Sequence, residues 1–132
     1  MALILVVDDD EMDRELERTV LESAGHDVFF ASDGETALKL CRERKIEVVV
    51  TDLAMPGFNG LRFIRDLREA GYDIPIIALS GKAADQLDLA EDYGANFTLS
   101  KPIDGNKLLN GVQKLLKIAA LQKRDDHWHG AR

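Results

Sequence analysis

Carboxylates follow two apolar segments of this chain in a pattern that suits a bound cation. Asp8, Asp9 and Asp10 come directly after the apolar run Leu3–Val7, and Asp52 ends a second apolar run. Because the carboxyl ends of parallel strands meet at one edge of a sheet, we expect these acids to lie together. Carboxylates held a few ångström apart repel one another unless a metal ion or a protonated partner neutralises them. The pattern therefore predicts a cation site at the ends of strands.

The composition predicts a single soluble domain. The chain has 132 residues and a formal net charge of −7. That charge argues against a nucleic-acid partner, which requires a basic patch. No apolar run approaches the ~20 residues that span a bilayer, and the chain does not start like a secretion signal, so we expect no membrane insertion. Cys41 is the only cysteine, which fits a reducing, cytoplasmic location.

Short apolar runs alternate with amphipathic stretches along the chain. The apolar runs predict strands buried on both faces, at about Leu3–Val7, Val28–Ala31, Val48–Thr51, Ile76–Leu79 and Asn96–Leu99. The amphipathic stretches predict helices, among them Glu11–Ala24, Gly34–Arg44, Gly60–Ala70 and a last helix from about Asp104 to Gln122. A βα unit repeated five times with short connections predicts an α/β fold, doubly wound, with a parallel five-stranded sheet and helices on both faces.

The end of the chain differs in character from the rest. Residues 123–132 are polar and lack helical periodicity, which predicts a flexible tail after a domain that covers residues 1–122. The tail contains His127, Trp128 and His129. Two histidines without another fixed ligand are a weak indication of a metal site, and the contacts of Trp128 stay open.

Four segments at predicted strand ends resemble the landmarks of bacterial response-regulator receiver domains of the single-domain, chemotaxis-regulator-like type. In chain order they are Val6-Val7-Asp8-Asp9-Asp10, Thr51-Asp52-Leu53-Ala54-Met55-Pro56-Gly57 through Gly60, Ala78-Leu79-Ser80-Gly81 and Ser100-Lys101-Pro102. The resemblance covers the chain from Leu3 to about Ala120. It implies a flavodoxin-like sheet of strand order 2-1-3-4-5. It also implies that the protein accepts a phosphoryl group from a histidine kinase or a histidine phosphotransfer protein.

The resemblance implies a role for each residue of the acidic group. Phosphoryl transfer from histidine to aspartate places dense negative charge on a carboxylate. Catalysis therefore depends mainly on positioning the reacting groups and neutralising that charge. Mg²⁺, or Mn²⁺, prefers oxygen ligands. By the resemblance these would come from Asp9, Asp52 and the backbone carbonyl of Ala54. Asp8 would hold a metal-bound water or bind the metal directly.

The same resemblance assigns the residues that meet the phosphoryl group. Asp52 is the implied phosphoacceptor. The ammonium of Lys101 would contact one phosphoryl oxygen, and the hydroxyl of Ser80 would donate a hydrogen bond to another. The Lys101–Pro102 peptide bond is expected to be cis in the family manner.

Two features of the sequence depart from the family pattern. The family usually has an aromatic residue three positions before the site lysine, whereas this chain has Thr98 there and Phe97 one place earlier. Successive strand residues point to opposite faces, so Phe97 cannot simply replace that ring. Ala54 and Lys82 occupy positions that modulate dephosphorylation in the family, and they leave the lifetime of the phosphoryl group open.

The sequence favours a single-domain response regulator that works as an interaction module or a phosphorelay intermediate. We expect no DNA-binding or enzymatic output domain after the predicted domain, and therefore a signalling phosphoacceptor and not an enzyme. One alternative is a small phosphatase, because Asp8-x-Asp10 resembles the start of haloacid-dehalogenase-type phosphatases with Asp8 as nucleophile. Asp10 and Glu11 are, however, better interpreted as the start of a helix. The other alternative is a receiver fold that acts as a scaffold independently of phosphorylation.

Overall fold

The computed structural model describes residues 2–55, 58–81 and 84–130, with side chains for all of these except 54–55, 58, 84–87 and 123–130. The main sheet has five strands, which we number β1 to β5 in chain order: Leu3–Val7, Asp27–Ala31, Val48–Asp52, Ile76–Ser80 and Phe97–Ser100. All their pairings are parallel, and the order is β2-β1-β3-β4-β5. The predicted α/β fold and the flavodoxin-like strand order are confirmed.

Helices connect the strands of this sheet. In the described residues they are α1 to α5: Glu11–Ser23, Gly34–Glu43, Gly60–Glu69, Ala84–Tyr93 and Gly105–Gly130. After α1, α3 and α4 the chain turns at Gly25, Gly71 and Gly94, whose φ angles of 88°, 90° and 120° lie in the left-handed region that favours glycine. A short antiparallel pair, Ala54–Met55 with Phe58–Asn59, lies between β3 and α3; the sequence did not predict it.

Helices cover both faces of the sheet, because alternate strand residues point to opposite sides. Ile4 and Val6 of β1 pack in a cluster with Leu21 of α1 and with Leu108 and Val112 of α5. The opposite face is covered by α2, α3 and α4, whose buried side chains pack with alternate strand residues that include Leu5, Val7, Val49 and Ala78. The two faces of the sheet are thus buried under helices. The polar side chains that follow the strands lie at the carboxyl edge of the sheet.

The last helix is longer than the sequence predicts. α5 continues to Gly130, so its predicted end at Gln122 was wrong. No glycine or proline occurs between Gln122 and Gly130, and nothing in the backbone therefore stops the helix earlier. The flexibility of residues 123–132 stays a prediction, and the side chains of His127, Trp128 and His129 lie outside those described.

Candidate functional site

The ends of four neighbouring strands bring the predicted site residues to one edge of the sheet. Asp8 follows β1, Asp52 ends β3 and Ser80 ends β4, while Lys101 follows β5. Carboxylate oxygens of Asp8, Asp9 and Asp52 lie within 4.8 Å of one another. Asp8 and Asp52 are buried, whereas Asp9 is exposed. The structure thus gathers the acids that the sequence singles out, with an opening to solvent on the side of Asp9.

Lys101 places its ammonium against these acids. Its Nζ lies 2.9 Å from Asp52 Oδ2 and 3.5 Å from Asp8 Oδ2. Its backbone N–H donates to the carbonyl of Ser80 at 2.8 Å, and the Lys101–Pro102 bond is cis, as the resemblance implies. Burial alone would lower the pKa of Lys101, but hydrogen bonds to Asp13 and Asp52 and the charge of Asp8 outweigh burial and raise the pKa. The side chain therefore stays a cation at neutral pH.

Asp8 has the features of a carboxylate that takes part in a cation site. Its Oδ1 accepts a hydrogen bond from the backbone N–H of Asp10 at 2.9 Å, while its Oδ2 lies 3.5 Å from the ammonium of Lys101. Burial raises the pKa of Asp8, and the bond from Asp10 and the charge of Lys101 oppose that rise. A buried carboxylate that lies with two further carboxylates in one group fits a hard divalent cation, which prefers oxygen ligands.

Helix α1 contributes two acids that the sequence reasoning missed. Asp13 Oδ2 lies 2.7 Å from Lys101 Nζ. Glu17 is fully buried, and its side chain is hydrogen-bonded to that of Asp8. Burial, and next the charge of Asp8, raise the pKa of Glu17 to about 9, so this side chain holds a proton at neutral pH. Asp13, Glu17 and the buried Leu21 are spaced four residues apart, which puts all three on one face of α1. This spacing is the feature of the sequence that could have revealed the two acids.

Asp10 belongs to the helix and not to the metal group. Its side chain accepts a hydrogen bond from the backbone N–H of Asp13 at 2.9 Å, which makes it the N-cap of α1. The interpretation of Asp10 as a helix-start residue is confirmed. This contact does not suit the acid/base role that the phosphatase alternative would require of Asp10.

Gly60 fixes the loop that follows Asp52. Its backbone N–H donates to the carbonyl of Leu53 at 3.0 Å. A Cβ on Gly60 would lie 2.6 Å from the Cα of Leu53 and would clash with the backbone oxygen of Asp52. Only glycine allows α3 to start this close to β3. Ala54 begins the short strand in this loop, and its carbonyl as a metal ligand stays a prediction.

The response regulator receiver domain family matches residues 4–113 of this chain. The chain belongs to this family. Among curated relatives of this receiver domain, the response regulator MprA of Mycobacterium sp. (strain KMS) is 39% identical over 115 residues, which cover 86% of this chain and 50% of the relative. A probable transcriptional regulatory protein of Picosynechococcus sp. is 35% identical over 124 residues, covering 88% of this chain and 49% of the relative. The chain thus spans about half the length of these relatives.

Solved structures share the fold of this receiver domain. The receiver domain of the Francisella response regulator 1452 superimposes with a TM-score of 0.84 at 29% identity, covering 90% of this chain and 99% of that one. The chemotaxis response regulator CheY4 of Vibrio cholerae gives a TM-score of 0.79 at 30% identity and covers 88% of this chain and 99% of that one. These receiver domains are therefore similar to the chain over almost their full length.

Phe97 packs with the apolar cluster under α1 and α5, so the ring does not occupy the face of Thr98, as the alternation of strand residues predicts. Lys82 lies outside the described residues.

Cys41 is buried, and burial raises the pKa of its thiol to about 11. No helix in the described ranges is long and apolar enough to cross a membrane.

Proposed function

We propose that this receiver domain accepts a phosphoryl group on Asp52 from the phosphohistidine of a histidine kinase or a histidine phosphotransfer protein. One observation carries the proposal. Asp52 belongs to the group of carboxylates that could hold a cation, and its Oδ2 also accepts a hydrogen bond from the ammonium of Lys101 at 2.9 Å. A carboxylate with positive charge available from both a cation and an ammonium can accept a dense anion that would otherwise be repelled.

The acids would hold Mg²⁺ or Mn²⁺, with Asp9, Asp52 and the Ala54 carbonyl as ligands and Asp8 as a direct or water-mediated partner. When bound, the metal neutralises charge on the carboxylates and on the phosphoryl oxygens. Burial of Asp8 and its hydrogen bond from the Asp10 N–H hold that carboxylate in one orientation. The exposed Asp9 leaves the cation side open to solvent, from which the phosphoryl donor would approach.

In the transfer, a carboxylate oxygen of Asp52 attacks phosphorus while the bond from phosphorus to the donor's imidazole nitrogen breaks. The imidazole leaves with that electron pair. The ammonium of Lys101 would shift its hydrogen bond from the Asp52 carboxylate to a phosphoryl oxygen, a move that its long side chain permits. Ser80 ends the neighbouring strand and is buried, and its hydroxyl would donate to a second phosphoryl oxygen.

We further propose that the phosphorylated domain signals through protein binding or through phosphorelay, as a single-domain regulator in the cytoplasm. Ser80 and Lys101 border α4, β5 and α5, so this face is the proposed output surface. Thr98 provides no ring that could change rotamer. Activation would therefore shift the loop and helix that follow Ser80 and leave the core under α1 unchanged.

The test of the proposed function uses the small donor phosphoramidate. Incorporation of phosphate, followed by intact-protein mass spectrometry, should require Mg²⁺ and should disappear in Asp52→Asn and in EDTA. Glu22→Gln removes an exposed acid of α1 and serves as the control that should label like the wild type. Undiminished labelling of Asp52→Asn would refute the assignment.

A further inference from the structure

The ammonium of Lys101 is surrounded by three carboxylates. Asp13 lies 2.7 Å from it, Asp52 2.9 Å and Asp8 3.5 Å. A lysine ammonium has three N–H donors. The shortest contact thus goes to Asp13, a residue of α1, and not to the proposed phosphoacceptor. A phosphoryl oxygen that takes a hydrogen bond from Lys101 must share the ammonium with these acids or displace one of them.

We propose that Asp13 is a positioning residue that holds Lys101 in its resting place and competes with the phosphoryl group for the ammonium. The inference rests on the proposed function of Asp52. Asp52 itself would carry the phosphoryl group, and Asp8 is fully buried. The side chain of Asp13 is 29% exposed, compared with 0% for Asp8 and 8% for Asp52. Water can therefore solvate Asp13 when it gives up Lys101, which makes it the acid that is displaced at least cost.

Two hydrogen bonds tie the position of Asp13 to the acidic loop. The N–H of Asp10 donates to Asp8 Oδ1, and the N–H of Asp13 donates to Asp10 Oδ1, both at 2.9 Å. The backbone of Asp13 is therefore held by the same segment that presents the acids at the sheet edge. The contact between Asp13 and Lys101 joins this segment to the start of the connection after β5. Release of that contact would be one of the changes that phosphorylation makes.

The test measures the affinity for beryllofluoride, an acyl-phosphate mimic, by calorimetry at saturating Mg²⁺. Asp13→Asn keeps the shape of the side chain and removes its charge, and it should bind beryllofluoride roughly threefold or more tightly than the wild type, within the range of coupling between contacting residues. When Lys101 is replaced by methionine in both the wild type and Asp13→Asn, the two resulting proteins should bind beryllofluoride equally tightly. Glu11→Gln, which removes another acid from the first turn of α1, should bind like the wild type.

A second measurement does not depend on the methionine variant. NMR of the lysine ammonium groups should show that the Lys101 resonance of resting Asp13→Asn is already shifted toward its position in the beryllofluoride complex. An unchanged affinity, or an equal gain with and without Lys101 or in Glu11→Gln, would overturn the inference while the proposed function stands. A wild type that binds no beryllofluoride at Asp52 would overturn both.

Discussion

Replacing Glu17 with glutamine should change how the stability of this protein depends on pH. Glu17 is fully buried beside Asp8, and burial raises its pKa from an ordinary 4.5 to about 9. The folded protein therefore binds a proton at Glu17 that the unfolded chain releases above pH 4.5. A raised folded-state pKa means that stability is fully present below about 4.5 and is lost as the pH rises toward about 9.

The size of the effect follows from one proton bound in the folded state. Over the pH range from about 5.5 to 7.5, the wild type should lose roughly 2–3 kcal/mol of unfolding free energy more than Glu17→Gln does. The comparison of slopes is the useful quantity, because the amide of glutamine brings its own buried donors and shifts the whole curve by a constant amount.

Urea unfolding at a series of pH values measures these slopes. The buffers should contain EDTA, since a cation bound near Asp8 would change the charge that Glu17 meets. Glu22→Gln, an exposed acid on the same helix, should keep the slope of the wild type. Equal slopes for Glu17→Gln and the wild type would show that Glu17 is ionised in the fold and would refute the reasoning.

Three further predictions concern single residues. Gly60→Ala should destabilise the fold by roughly 1–3 kcal/mol in urea unfolding, because its Cβ would lie 2.6 Å from the Cα of Leu53; an unchanged midpoint would contradict this. Burial lowers the pKa of His26 from 6.5, so the unfolded chain is protonated first and stability should fall as the pH drops below about 6.5; an NMR titration midpoint at or above 6.5 would count against it. Asp9→Ala should lose most Mg²⁺ affinity in calorimetry, whereas Lys101→Ala should keep or raise it, because the ammonium competes with the cation; equal losses would disprove these roles.

The fold and the acids at the sheet edge could be predicted because both follow from local pattern. Short apolar runs predict β1 and β3, and a carboxylate directly after each run must lie at the carboxyl edge of a parallel sheet. Asp8, Asp9 and Asp52 therefore meet in the structure as the sequence indicates. Strand ends are a reliable guide to site residues in this chain because the strands are buried on both faces and their register is fixed.

The contributions of α1 could not be found from the apolar pattern alone. A search for apolar residues passes over Asp13 and Glu17, although both lie on the helix face that carries the buried Leu21. Charged residues on such a face usually indicate its edge, and a buried glutamate is uncommon. Only the position of α1 against Lys101 shows that Asp13 meets a cation, and that contact joins residues far apart in the chain.

The end of α5 was missed for a different reason. The periodic apolar residues of a sequence reveal a helix only where one of its faces packs on the core. The residues after Gln122 include few apolar side chains, so this part of the helix has no such pattern. The backbone nevertheless continues to Gly130, since an established helix propagates through polar residues more readily than it starts.

The most direct test of the central claim locates the acyl phosphate. The protein is phosphorylated with phosphoramidate and Mg²⁺, the acyl phosphate is reduced with borohydride to homoserine, and the converted residue is identified by peptide mass spectrometry. Phosphoryl acceptance by this receiver domain predicts conversion at Asp52 alone, with none in EDTA. Conversion at Asp8 with Asp52 intact would contradict that account and favour a phosphatase-type nucleophile.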